Sequence, residues 1–185
     1  MILTGSEIAH QVSQGRITID PFNEYQLNPN SYNFRLGPTL KVYTDRVLDV
    51  KKPNPVDEVT ITDSGMVLQP DRIYLGSTVE VMGSEHYVPI IRARSGIARL
   101  GLFIHVTADL IDIGSINQWT LQLHAVQPIR IYPGMLLGQV TFWRPEGAIE
   151  PYSGKYQGSR GPQESRIHLD FEESVGTWGT AGGVK

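Results

Sequence analysis

Two arginines five residues apart, Arg94 and Arg99, flank a Ser95-Gly96 pair, and a lone carboxylate follows at Asp112 beside Gly114. A guanidinium presents a planar fork of donors that matches phosphate oxygens, and a serine hydroxyl or backbone N–H adds to it. Thr107 and Ala108 are small, and Asp112 is suited to orienting a water or a sugar hydroxyl. Farther on, Thr120, Gln122 and His124 fall at alternate positions of one stretch, so they share one face of a strand, while Trp119, Leu121, Leu123 and Ala125 share the other. Together these are the parts of a site for a phosphorylated small molecule. The same residues also suit plainer roles: surface arginines on a turn, an aspartate bonding its own backbone, and a solvated sheet face. Lys155, Tyr156 and Arg160, in a glycine-rich stretch, either reach phosphates or belong to a flexible C-terminal segment.

Other chemistries are excluded by what the chain lacks. It has no cysteine, which rules out disulfides and thiolate metal sites and is compatible with a cytoplasmic location. The histidines at 10, 86, 105, 124 and 168 are scattered, and neither His-x-Glu nor Pro-Cys-x-x-Cys occurs, so no zinc deaminase signature is present and no zinc is expected. Walker, Rossmann and Gly-x-Ser-x-Gly patterns are absent too. The net charge of −3, from 16 basic and 19 acidic residues, leaves Arg92, Arg94 and Arg99 as the one local cationic cluster. That suits a few phosphates better than a duplex, so no nucleic-acid partner is expected. No apolar run approaches the roughly 18 residues that span a bilayer, and the first residues lack a signal-peptide pattern, so no membrane partner is expected.

The elements that must position these residues are mostly strands. Thr4-Gly5-Ser6-Glu7 reads as a capping box, with Ile8 and Val12 at helical spacing and Gly15 as a stop, which predicts a helix near residues 5–14. After it come short alternating runs at 17–20, 31–36, 39–43, 59–61, 66–68, 73–81 and 87–92, each bounded by Gly, Pro, Asn or Asp. Residues 45–65 read as an exposed loop, and 128–143 as two strands around a Tyr132-Pro133-Gly134 turn. Short strands with frequent turns predict an all-β barrel or sandwich. From Tyr152 the chain turns glycine-rich and polar, which predicts an arm or lid over 152–171 on a single domain of residues 1–171, and a disordered tail over 172–185.

In their order and spacing, TGSEIAHQVSQGRITIDPF, PNSYNFRLG, RSGIARLGLFIHVTADLID, PGMLLGQVTF and PYSGKYQG resemble the dCTP deaminase and dUTPase superfamily. The form is closer to the dCTP deaminases, including bifunctional ones that also cleave the triphosphate, although Ser95-Gly96 reads like the dUTPase version of its motif. The resemblance implies a distorted β-barrel, jelly-roll-like protomer of the dUTPase type with a short N-terminal helix. It also implies a homotrimer with sites between subunits, and a deoxypyrimidine triphosphate carrying Mg²⁺ on its phosphates with no protein metal ligand. By position, the segment Arg94, Ser95, Gly96, Ile97, Ala98 and Arg99 would meet phosphate or the reacting base. His105 and Ala108 would line the base pocket, Asp112 would hold the sugar hydroxyl and help activate water, and Thr120, Leu121 and Gln122 would read the base. Gln139 resembles a motif of pyrophosphate-cleaving members, and Tyr152 and Lys155 would close over sugar and phosphates.

Gln122 stands where the deaminases carry a catalytic glutamate that shuttles protons without zinc. An amide has that shape but takes no proton. Ser115-Ile116-Asn117 stands where the family has an aromatic and a glycine, Ala125 replaces an asparagine, and Ser159 replaces a glutamine. The phosphate and sugar half is therefore retained and the base half altered. The expectation is a nucleotide hydrolase acting on dCTP or dUTP, with deamination impaired and Mg²⁺-dependent release of pyrophosphate favoured. The alternatives are a non-catalytic nucleotide-binding trimer serving as a sensor or regulator, and an enzyme retuned to a modified pyrimidine nucleotide.

Overall fold

The structure, a computed structural model, describes residues 1–174. Helix α1 (Gly5–Ser13) begins at Thr4, whose Oγ1 accepts the Glu7 N–H at 3.4 Å. The capping box is only half formed, because the Glu7 carboxylate accepts from Gln11 Nε2 at 2.6 Å instead of returning to the cap. Ile8 is fully buried beneath the helix, and Gly15, at φ +69°, ends it.

The chain then forms β1 (Thr18–Asp20), β2 (Leu27–Asn28), β3 (Ser31–Arg35), β4 (Thr39–Tyr43), β5 (Val56–Thr60), β6 (Met66–Leu68) and β7 (Tyr74–Ser77). Next come β8 (Val81–Gly83), β9 (Val88–Ala93), helix α2 (Ser95–Arg99), β10 (Leu102–Phe103), β11 (Thr120–Ala125), β12 (Ile129–Ile131), β13 (Leu136–Trp143) and helix α3 (His168–Ser174). Every pairing among them is antiparallel. One sheet runs β2-β3-β13-β9 and another β10-β11-β7-β4-β5, with β1-β8 and β12-β6 as separate two-stranded pairs. Tyr32, Phe34 and Phe142 from the first sheet meet Leu40, Leu121 and Leu123 from the second in one core. This is the expected all-β architecture with a short N-terminal helix.

Two local expectations are revised and two details are added. The run 73–81 is two strands, because the chain bends at 78–80 to bury Glu80 completely. Its carboxylate accepts from Arg35 Nε at 2.7 Å, the Arg35 N–H at 2.9 Å and Gln26 Nε2 at 3.0 Å, which compensates the buried charge. The loop expected at 45–65 contains β5, an edge strand on β4 whose polar sequence, VDEVT, hides its pairing. The two strands expected around the Tyr132-Pro133-Gly134 turn are present as β12 and β13, and each pairs elsewhere: β12 joins β6 and β13 joins β3 and β9. Residues 95–99 form a helical turn. Of the range 172–185, residues 172–174 end α3 and the remainder lies outside the described residues. Among the described residues no helix is long and apolar enough to cross a membrane.

Candidate functional site

Strand β11 divides its side chains as its alternation requires. Leu121, Leu123 and Ala125 are fully buried in the core, whereas Thr120, Gln122 and His124 are half-buried on the outer face. Gln122 lies opposite Leu75 on β7, and Leu75 lies opposite Lys41 on β4, so these three share one row of that face. Leu75 is buried yet stands outside the core cluster, so something other than the core covers it.

The cover is the segment that follows Tyr152. It is fastened first to the turn before β11, where Tyr152 N–H donates to the Ile113 carbonyl at 2.7 Å and Gln157 Nε2 to the Gly114 carbonyl at 2.8 Å. The Ser159 N–H donates to Asn117 Oδ1 at 3.0 Å, the Gly161 N–H to Gln118 Oε1 at 2.8 Å and the Gln163 N–H to Thr120 Oγ1 at 3.0 Å. The segment then steps to β4, where Glu164 pairs with Lys41 at 2.6 Å and the Ser165 N–H donates to the Tyr43 hydroxyl at 2.9 Å. Lys41 holds the Glu164 carboxyl below its usual range through this bond. A cavity of about 460 Å³ lies between the sheet and this cover. Gln122, Thr120 and Asn117 line it on one side, Ile73, Leu75 and Ile111 on another, and Tyr156 and Ser159 above.

Within this cavity the amide of Gln122 has one orientation that makes a hydrogen bond. Its Nε2 donates to the Thr120 carbonyl at 3.3 Å. The flipped amide would set two oxygens against each other. Oε1 is left buried and without a partner.

A second cavity of about 460 Å³ is lined by Asp112, Ile113 and Tyr152. It shares Leu110 and Ile111 with the first, so those two residues form the partition between the Gln122 side and the Asp112 side. Asp112 sits on a turn closed by the Ser115 N–H to its carbonyl at 3.1 Å, and its carboxylate is exposed with no partner among the described residues. Gly114 is required here twice over: its φ is +89°, and a Cβ would lie 2.7 Å from Pro151 Cβ and 2.8 Å from the Tyr152 nitrogen. The glycine therefore lets the covering segment reach the aspartate's turn.

Of the other expected site residues, Ala108 and Thr120 line the Gln122 cavity and Tyr152 the Asp112 cavity. Arg94 caps α2, with Ser95, Gly96, Ala98 and Arg99 exposed along it, and none of these five lines either cavity. The side chains of Ile97 and, as its alternation requires, Leu121 face the core, so only their backbone can meet a ligand. Arg92 pairs with Asp109, which removes it from the free cationic cluster. His105 lies apart from both cavities, with Nδ1 buried and unpartnered, and burial, with Arg92 adding to it, lowers its pKa. Gln139 accepts from Ser31 Oγ at 2.8 Å in the other sheet, and Lys155 pairs with Asp170 in α3.

The sequence reading missed Lys41, Tyr43, Leu75 and Gln163, which only the sheet order and the covering segment bring to the site. The signal for the first two was the half-buried face of β4, on which Lys41 and Tyr43 alternate with core Leu40 and Val42.

Comparison with known proteins places this geometry among relatives. A family model described as dCTP deaminase-like matches residues 2–145. The chain is 48% identical over 173 residues to a protein of Hathewaya histolytica named "dCTP deaminase, dUMP-forming", covering 93% of this chain and all of that one. It is 46% identical over 172 residues to a protein of the same name from Clostridium acetobutylicum, covering 92% and 99%. Among solved structures, 2'-deoxycytidine 5'-triphosphate deaminase from Agrobacterium tumefaciens superposes with a TM-score of 0.60 at 21% identity, which supports a shared fold. That match covers 76% of this chain and 47% of the other, so the chain spans about half the length of that structure.

Proposed function

Because the chain belongs to the dCTP deaminase-like family, we propose that it binds a deoxypyrimidine triphosphate and hydrolyses it to the monophosphate and pyrophosphate, with deamination impaired. The observation that carries this reading is the Gln122 amide, tied by Nε2 to Thr120 with Oε1 buried and free. Such an acceptor suits an N–H of the base, either the cytosine amine or the uracil N3–H. It holds no titratable proton, so it supplies no shuttle between an attacking water and a leaving amine.

The relatives' shared name joins deamination to dUMP formation, and this chain carries residues suited to the second step. Asp112 is an exposed, unpaired carboxylate, suited to holding a sugar hydroxyl and orienting water on the α-phosphorus. No group of three or more His, Asp or Glu side chains fit for a metal gathers among the described residues. Mg²⁺ would arrive on the nucleotide's own phosphate oxygens, with Asp112 as a nearby carboxylate, and would neutralise phosphate charge. Arg94, Ser95 and Arg99 would clamp the phosphates. In the homotrimer that the family resemblance implies, a neighbouring copy's α2 would bring Arg94, Ser95 and Arg99 to each site.

The test is release of pyrophosphate and of ammonia from dCTP and dUTP with Mg²⁺. Absence of pyrophosphate from both removes the hydrolase reading. A second reading, a non-catalytic nucleotide-binding trimer, is favoured by the same amide and requires triphosphate affinity without turnover.

A further inference from the structure

Side chains two apart on the β11 side take arm N–H groups two apart. Gln118 accepts from Gly161 and Thr120 from Gln163. Continued in the same register, this ladder would bring the Ser165 N–H to Gln122. It does not continue: the Tyr43 hydroxyl takes that N–H at 2.9 Å, and Lys41 takes the Glu164 carboxylate at 2.6 Å. Both captors are on β4, separated from β11 by β7. Two strand spacings amount to about 10 Å. The arm thus leaves β11 immediately after Gln163, passes above Leu75 on β7, and borders the cavity beneath the step, with Gln122 Oε1 buried and unpartnered in its wall.

We propose that Lys41 and Tyr43 are positioning residues that draw the arm away from Gln122 and so keep the base-side cavity open. A buried acceptor and a backbone N–H within one register of each other pair when nothing else claims them. Without the β4 contacts, Ser165 N–H and Gln122 Oε1 satisfy each other, and the protein's own arm occupies the place proposed above for the base. The inference rests on that placement of the base for its effect on binding, but not for its effect on the arm.

Two measurements test it. The first is amide hydrogen exchange at Ser165 without nucleotide. Protection is expected to survive Gln122→Ala, where Tyr43 still holds the N–H, and to survive Tyr43→Phe, where Gln122 captures it. It is expected to fall at least tenfold only when both are changed. Protection lost in Tyr43→Phe alone to the level of the double variant overturns the inference. The second is calorimetric affinity for an α,β-imido analogue of dCTP and of dUTP. Lys41→Met with Tyr43→Phe is expected to weaken binding about tenfold or more, with the ligand-free unfolding midpoint shifted by no more than about 4 °C, the effect of about 1 kcal/mol in a chain of this size. Lys41→Glu is expected to weaken it as well, and adding Glu164→Lys to restore it. Wild-type affinity in the Lys41→Met, Tyr43→Phe variant overturns the inference. If the unaltered protein binds neither analogue, the placement of the base at Gln122 fails, while the exchange experiment still decides what Tyr43 does.

Discussion

Asn117 Oδ1 accepts the Ser159 N–H at 3.0 Å, joining the turn before β11 to a residue 42 positions later, while Asn117 Nδ2 donates to Ser115 Oγ at 2.8 Å. Ser115, Asn117 and Ser159 are three of the positions at which the sequence departs from the pattern it resembles, and here they form one hydrogen-bonded unit. These three of the altered positions therefore touch one another.

That unit is expected to hold the arm. Asn117 is 4% exposed, so Asn117→Ala leaves buried groups unpaired and should cost about 1–3 kcal/mol in urea unfolding. It should also speed tryptic cleavage after Arg160. Unchanged cleavage would mean that the arm is held by its other contacts.

Asp112 is exposed and its carboxylate is unpaired, so Asp112→Asn should alter stability by less than about 0.5 kcal/mol. If Asp112 orients and activates water, the same change should lower pyrophosphate release by roughly 10²–10⁴-fold. A loss below threefold in steady-state assays would remove Asp112 from the chemistry.

A site shared between copies makes a complementation prediction. Arg99→Ala and Asp112→Asn should each be inactive alone, and co-expressed hybrids carrying both kinds of chain should recover measurable turnover. Hybrids that form without recovery would place both residues in a site built by one chain.

His105 contributes a pH dependence whose sign follows from its lowered pKa, caused first by burial and then by Arg92. Above the ordinary value of 6.5 the ring is neutral in folded and unfolded chains alike. As pH falls below it, the unfolded chain binds the proton first, so stability is lost until the lowered folded pKa is reached. The urea midpoint should therefore fall between pH 7.5 and pH 5.5, and His105→Asn should flatten that fall. An equal slope in the variant would assign it to other groups.

The sequence made the sheet visible where one face is apolar and the other polar. Trp119, Leu121, Leu123 and Ala125 are buried on alternation alone, and β4 and β6 have the bounds their patterns suggest. It hid the strand break at Glu80, because the three groups that compensate this buried charge arrive from Gln26 and Arg35, far away in the chain. It showed only the end of β5, as the run 59–61, because the strand's partner is β4 and its own residues are mostly polar. Gln122, Asp112 and Ala108 were legible through the resemblance and do border the two adjoining cavities. Lys41 and Tyr43 were not, because their role depends on a sheet order that puts β4 two strands from β11, and on an arm that crosses between them.

The central claim is that an amide at position 122 disables proton transfer while leaving triphosphate cleavage intact. The direct measurement is ammonia and pyrophosphate released from dCTP with Mg²⁺, by the unaltered protein and by Gln122→Glu. Pyrophosphate is expected from both and ammonia in quantity only from Gln122→Glu, an increase of roughly 10²–10⁴-fold if one carboxylate supplies the missing general acid–base step. Rapid ammonia release by the unaltered protein would contradict it.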